Sequence, residues 1–132
     1  MKDGGVTYKS NEGWWYEEYA SKNGPNSKVL NGMIFAMLGI HEYYKYTNDE
    51  NAKFLFKKGQ VALIKELPKF DNKGFSNYDM LGNLSRHYHQ VHIDLLEKLY
   101  SITKDKIFKE YCEKWKKTNY YKFTAEKIKF SK

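Results

Sequence analysis

The amino-acid sequence predicts a mainly α protein, with helical hairpins forming part of an (α/α) barrel or toroid and a short aromatic β-hairpin at the N-terminus. Three observations predict it. Apolar residues recur at three- and four-residue steps in four stretches between residues 28 and 118, which is the mark of helices with one buried face. Short links join these stretches in pairs, so sequence neighbours are expected to pack antiparallel. Only the opening two dozen residues read as extended, as two aromatic-rich runs around the turn signal Asn11-Glu12-Gly13.

The elements follow in order. "GGVTYKS" and "GWWYEEYA" are the two extended runs, and "SKNGPNS" (21–27) is a turn cluster broken by Gly24-Pro25. Ser27 is the expected N-cap of a first helix over 28–47, with Leu30, Met33, Ile34, Met37, Leu38 and His41 on one face. Asn48 or Asp49 caps a second helix over 50–67, carrying Ala52, Leu55, Phe56, Gly59, Leu63 and Leu67, and Pro68 stops it. Gly59 lowers helix stability by ~1 kcal/mol relative to Ala, so its presence points to a close helix contact. Residues 69–83 read as a long loop, of the length that in compact domains is functional or disordered, and Phe70, Phe75 and Tyr78 argue against disorder. A third helix spans 87–102 with Tyr88, Val91, His92, Leu95 and Leu99 in phase. Thr103 is the expected cap of a fourth, 104–118, with Ile107, Phe108, Tyr111, Cys112 and Trp115. The tail from Tyr120 has weak periodicity.

The chain has 132 residues, read as one domain, and 41% hydrophobic content suits a packed core. The apolar stretch 29–40 is too short to span a bilayer, and "MKDGGVTYKS" has no apolar signal core, so the default compartment is the cytoplasm. Cys112 is the single cysteine. It rules out a disulfide within the chain, argues against a cysteine zinc site, and on an apolar helix face reads as a buried structural thiol. The net charge of +7 favours an acidic partner, although the lysines are spread among acids in a chain rich in Lys, Asn, Tyr and Ile, which also reads as compositional bias. No P-loop, G-x-G-x-x-G, H-E-x-x-H or nucleophile elbow is present, and basic residues do not gather on one helix as DNA reading requires.

Three constellations carry candidate chemistry. "GWWYEEYA" places Glu17 and Glu18 between Tyr16 and Tyr19, directly after Trp14 and Trp15. That mixture suits a wall that stacks on a partly apolar ligand and exchanges protons there, with Trp15 and Tyr16 as candidate ligand contacts. "FSNYDM" sets Tyr78 beside Asp79 in the long loop. "RHYHQVHIDLL" puts His89 and His92 three residues apart on one helical face next to Tyr88. Its histidines read as metal ligands, as core-edge groups bonded to backbone, or as a polar floor in which Arg86 binds an anion and Tyr88 transfers a proton.

Taken together, "GWWYEEYA", "VLNGMIFAMLGIHEYY", "GFSNYDML" and "SRHYHQVHIDLLEKLY" resemble the C-terminal helical domain of the D-glucuronyl C5-epimerases, in order and spacing, from about Gly4 to Trp115. The resemblance implies an isomerase that inverts the carboxylate-bearing carbon of glucuronic acid within a heparan-type chain, giving iduronic acid, without a cofactor or metal. It implies Tyr88 as one acid/base group, Glu18 and Tyr19 as the pair across the cleft, and Tyr78 as the loop tyrosine contacting the uronate. A tyrosine base needs nearby positive charge or hydrogen bonds, which Arg86, His89 and His92 are expected to supply as substrate-side groups. Asn31 and Gly32 match the family's helix start. Where animal members carry an arginine shortly after Tyr-Asp, Met80 and Leu81 stand here, which leaves the substrate carboxylate to Arg86. The chain looks like a C-terminal fragment or stand-alone remnant covering about half a helical barrel, without the family's N-terminal β-barrel region. The expected partners are a uronate-containing polysaccharide, and a second copy of the chain or that N-terminal region. Nucleic acid and membrane are not expected partners. A non-catalytic acidic-glycan-binding module and a uronate polysaccharide lyase are the competing readings.

Overall fold

A computed structural model of the chain describes residues 6–10, 13–17, 28–80 and 83–118. Strands β1 (Val6–Ser10) and β2 (Gly13–Glu17) pair antiparallel, with Thr7 opposite Tyr16 and Lys9 opposite Trp14. Four helices follow: α1 (Leu30–Thr47), α2 (Glu50–Glu66), α3 (Arg86–Thr103) and α4 (Lys106–Lys116). The protein is therefore mainly helical, with α1 packed on α2, α3 on α4, and α1 also against α3. Strand β2 lies on α2 and α1.

Most of the fully buried positions are apolar residues on the helix faces. Leu30, Met33, Ile34, Met37, Leu63, Leu67, Leu96, Leu99, Phe108 and Trp115 are all fully buried. Gly59 is where the helices and the hairpin come closest, since a Cβ there would meet Tyr16 Cε2 at 2.8 Å and Met37 Cγ at 3.1 Å. Gly13 plays the same part from the strand side: its φ is +114°, and a Cβ would fall 2.8 Å from the Lys58 carbonyl oxygen on α2. Cys112 is buried, with Sγ 3.5 Å from the Ile93 carbonyl, and burial pushes its thiol pKa up.

Helix ends show where local rules lose to tertiary contacts. Ser27 lies outside the described residues, and the N-cap position of α1 falls at Val29, with no side-chain cap of its own. The donors left by the missing cap are taken from afar: Leu30 N–H donates to the Tyr78 carbonyl (3.0 Å), and Val29 N–H to Glu17 Oε1 (3.1 Å). Asn48 closes α1 in a left-handed conformation, and Asp49 caps α2 by accepting from Asn51 N–H at 2.8 Å. Thr103 does not cap α4. Its hydroxyl donates to the Leu99 carbonyl and accepts from Asp105 N–H, while Asp105 takes the N-cap and accepts from Ile107 N–H.

The segment expected as a loop over 69–83 holds more order than its length suggests. Leu67–Phe70 forms a 3-10 turn, and β3 (Asp71–Asn72) pairs antiparallel with β4 (Phe75–Ser76). Lys73 and Gly74 join the strands with φ of +53° and +92°, the two positive values that a type I′ hairpin turn demands. Asp71 pins this hairpin to α4 by accepting from Trp115 Nε1 (2.9 Å) and Lys114 Nζ. Phe70 and Phe75 are fully buried.

Candidate active site

Strand β4 leads into the segment that carries Tyr78. Asn77 N–H donates to the Phe70 carbonyl (2.7 Å) and Tyr78 N–H to the Asn83 carbonyl (2.7 Å). Asp79, itself buried, accepts from both Asn83 N–H (3.2 Å) and Asn83 Nδ2 (2.9 Å). The loop is thus clipped at both of its legs, which fixes the Tyr78 backbone beside α1 and α3.

On α3, Ser85 caps the helix by accepting from Tyr88 N–H, so Tyr88 sits in the first turn. Its half-buried ring lies 4.8 Å from the Tyr78 ring, tilted by 45°. His87 stands edge-on to it at 5.0 Å and His92, one turn further, is 6.5 Å away between centroids. Sequence spacing alone put His89 and His92 next to Tyr88, and the fold adds Tyr78 to them.

Beneath the tyrosines is a buried polar chain that the sequence reading did not contain. Ser76 N–H donates to His89 Nδ1 (3.0 Å), and Ser76 Oγ lies 2.9 Å from His89 Nδ1 and 2.8 Å from His92 Nδ1. A backbone N–H only donates, so His89 Nδ1 accepts and the His89 proton is on Nε2, which donates to the Trp115 carbonyl at 3.0 Å. Phe75 stacks on the His89 ring at 4.2 Å. Burial holds the pKa of His89 below the usual histidine range, and burial together with its neighbour His89 pulls His92 down to about 3. Both rings are neutral at pH 7 and lend Tyr88 no positive charge. No sequence pattern marks Ser76, because β4 (Phe75–Ser76) is too short for strand alternation to register.

The opening hairpin reaches this region through Glu17. Its carboxylate, 4% exposed, accepts from Trp15 Nε1 (3.1 Å) and Val29 N–H (3.1 Å). Burial raises its pKa most, and the Asp79 charge adds to the rise, while its hydrogen bonds and Lys28 oppose it. Glu17 therefore stands near Asp79, at the start of α1 that the Tyr78 carbonyl also caps.

Trp15 and Tyr16 face inward. Trp15 stacks on Phe70 at 5.7 Å, and the Tyr16 hydroxyl donates to the Leu55 carbonyl. Burial pushes the Tyr16 phenol up to about 12. Trp14 is half-buried, with the Lys9 ammonium 4.2 Å above its ring and Phe54 edge-on at 5.4 Å. Glu18, Tyr19 and the Arg86 side chain lie outside the described residues. Two clefts, of about 320 and 290 Å³, open elsewhere, lined by residues of α1 and α2, with Ile102 and Thr103 bordering the second.

Comparison with known proteins places the chain in a family. The family model for the D-glucuronyl C5-epimerase C-terminus matches residues 1–117. An uncharacterized protein of Methanocaldococcus jannaschii is 37% identical over 110 residues, covering 83% of this chain and 35% of that protein. A D-glucuronyl C5-epimerase of Caenorhabditis elegans is 32% identical over 133 residues, covering 86% of this chain and 21% of that enzyme. The chain belongs to the D-glucuronyl C5-epimerase C-terminal family. It spans about a third and about a fifth of the length of these two relatives.

Proposed function

We propose that the chain is the acid/base portion of a uronyl C5-epimerase that converts D-glucuronic to L-iduronic acid units in an acidic polysaccharide. The observation that carries this reading is the Tyr78–Tyr88 pair, two half-buried phenols 4.8 Å apart on separate elements, in a chain of this family. The proton to be moved lies α to a carboxylate, leaves from one face of the sugar and returns from the other. Two acid/base groups on opposite sides of the ring meet that demand. Tyr88 takes one side, with Tyr78 beside it against the uronate. Glu18 and Tyr19, which follow Glu17 in the sequence, take the other. Arg86 supplies a cation for the substrate carboxylate. His89 and His92 act from beneath Tyr88, and Trp15 and Tyr16 hold the β2 end of the site from the core side. The helical hairpins form part of an (α/α) barrel whose remainder is supplied by further polypeptide of the same enzyme or by a second copy. The net charge of +7 suits a polyanionic substrate.

The test is deuterium incorporation at C5 of a glucuronate polymer in heavy water, with the polypeptide as its gene encodes it. Incorporation that Tyr88→Phe abolishes is the expected result. Saturable polymer binding without incorporation, unchanged in Tyr88→Phe, would instead mark a glycan-binding module. Unsaturated product absorbing in the ultraviolet would mark a lyase, which shares the first proton abstraction but then eliminates.

A further inference from the structure

His92 is fully buried, yet among the described residues its Nε2 has no hydrogen-bond partner. Buried polar atoms are almost always paired, so a bare ring nitrogen beside a half-buried phenol asks what it is for. The other end of the same ring answers part of the question. Ser76 Oγ stands between His92 Nδ1 (2.8 Å) and His89 Nδ1 (2.9 Å), so its one proton reaches either.

Two arrangements with the same number of protons follow. In the first, Ser76 Oγ–H donates to His92 Nδ1. The His92 proton then sits on Nε2, which presents an N–H. In the second, His92 Nδ1–H donates to Ser76 Oγ, and the hydroxyl proton turns to His89 Nδ1. Nε2 then presents a lone pair. His89 is the same in both, held as the Nε2–H tautomer by Ser76 N–H on one side and the Trp115 carbonyl on the other. The Ser76–His92 hydrogen bond is kept in both; the first leaves the Ser76 Oγ–His89 Nδ1 contact without a proton, the second has His89 Nδ1 accept from Oγ–H and the backbone N–H together, and neither carries a charge. The depressed pKa values of both rings agree with a chain that stays neutral.

We propose that Ser76 and His89 make His92 a convertible hydrogen-bonding group for the Tyr88 phenol, offering a lone pair when Tyr88 is protonated and an N–H when it is a phenolate. This rests on the reading of Tyr88 as an acid/base group. An acid/base phenol passes through both protonation states in one turnover, and a partner that only donates or only accepts would favour one of them. Tyr88 and His92 are one helical turn apart, with ring centroids separated by 6.5 Å. The proposed hydrogen bond between them, direct or through one water, forms when the site is filled, as catalytic hydrogen bonds tighten in the occupied site. His92, His89 and Ser76 are thereby positioning residues, and the reacting proton belongs to Tyr88.

Nitrogen-15 spectra of the histidine rings in the full chain test this at neutral pH. His89 is expected as a single Nε2–H tautomer, and His92 with shifts averaged between both neutral tautomers. Tyr88→Phe is expected to change the His92 tautomer ratio by about three- to tenfold, the effect of one hydrogen bond, and to leave His89 unmoved. Ser76→Ala should collapse His92 to one tautomer while His89, still bonded to the backbone N–H at position 76, keeps its own. A His92 held in one tautomer in the wild-type chain, or a ratio indifferent to Tyr88→Phe, overturns the proposal. These outcomes are separate from C5 exchange: a wild-type protein that exchanges no deuterium refutes the epimerase reading, whereas a locked His92 in an active enzyme refutes only this one.

Discussion

The carboxylate of Glu17 accepts a hydrogen bond from the backbone N–H of Val29, twelve residues further on. That single bond ties the aromatic hairpin to the start of α1, where the Tyr78 carbonyl also docks. Because Trp15 Nε1 shares the same oxygen, loss of the side chain leaves two buried donors unmet. Glu17→Ala is expected to lower stability by roughly 1–3 kcal/mol. Glu17→Gln keeps an acceptor oxygen without the buried charge and is expected to cost less. The sign of the pH dependence separates the two effects further. A raised carboxyl pKa in the folded state means that folding binds protons, so the Glu17 contribution is fullest at low pH and declines as pH rises through the carboxylate range. Urea unfolding of wild type and Glu17→Gln across that range should show the decline in the first and its loss in the second.

The two buried histidines impose the opposite slope. Their folded-state pKa values lie below the ordinary histidine value, that of His92 at about 3. The unfolded chain therefore takes up protons first as pH falls below ~6.5, and stability is lost from there down toward the folded-state values. Each histidine contributes a slope of up to about 1.4 kcal/mol per pH unit in that window. Denaturant midpoints at pH 7, 6 and 5 should fall steeply for the wild-type chain and less steeply for His92→Gln. A flat profile would show that at least one ring is already charged or exposed in the native protein.

Gly59→Ala would, by helix propensity alone, stabilise α2 by ~1 kcal/mol. The structure predicts the reverse. The new methyl would sit 2.8 Å from Tyr16 Cε2, and Tyr16 is held by its hydroxyl bond to Leu55 and by Met33 at its backbone. Overpacking of that kind costs typically 1–3 kcal/mol. A thermal melt several degrees below wild type is expected, and a rise in melting temperature would show that β2 does not press on α2 as described.

How far the sequence spoke for the fold follows from where the controlling interactions are local. All four helices lie within two or three residues of their periodic stretches, because burial of one face is written in the spacing itself. Gly59 was legible because a glycine inside a helical pattern asks for a reason. The α1 start was not, because its caps come from Glu17 and Tyr78, far away along the chain. The β3–β4 hairpin escaped because its strands are two residues long, below the length at which alternation registers, although Asn72-Lys73-Gly74-Phe75 carries the turn chemistry. At the site, Tyr88, His89 and His92 were readable from helical spacing and Tyr78 from the resemblance. That the histidines are neutral, and that Ser76 joins them, depends on burial and on a strand brought to α3 by folding, which spacing does not encode.

Tyr78 and Tyr88 touch through their rings, so removing one oxygen tests chemistry with little change to packing. Tyr88→Phe is expected to reduce C5 deuterium incorporation by about 10²–10⁴-fold, the usual weight of a general acid or base, with a melting temperature close to wild type. If Tyr78 holds the uronate as proposed and does not transfer its proton, Tyr78→Phe should weaken the apparent affinity more than the turnover. Equal losses of turnover in both variants would make the phenols joint acid/base groups. Unchanged exchange in Tyr88→Phe would move the proton transfer to another residue and leave the aromatic pair a packing contact between the β4 loop and α3.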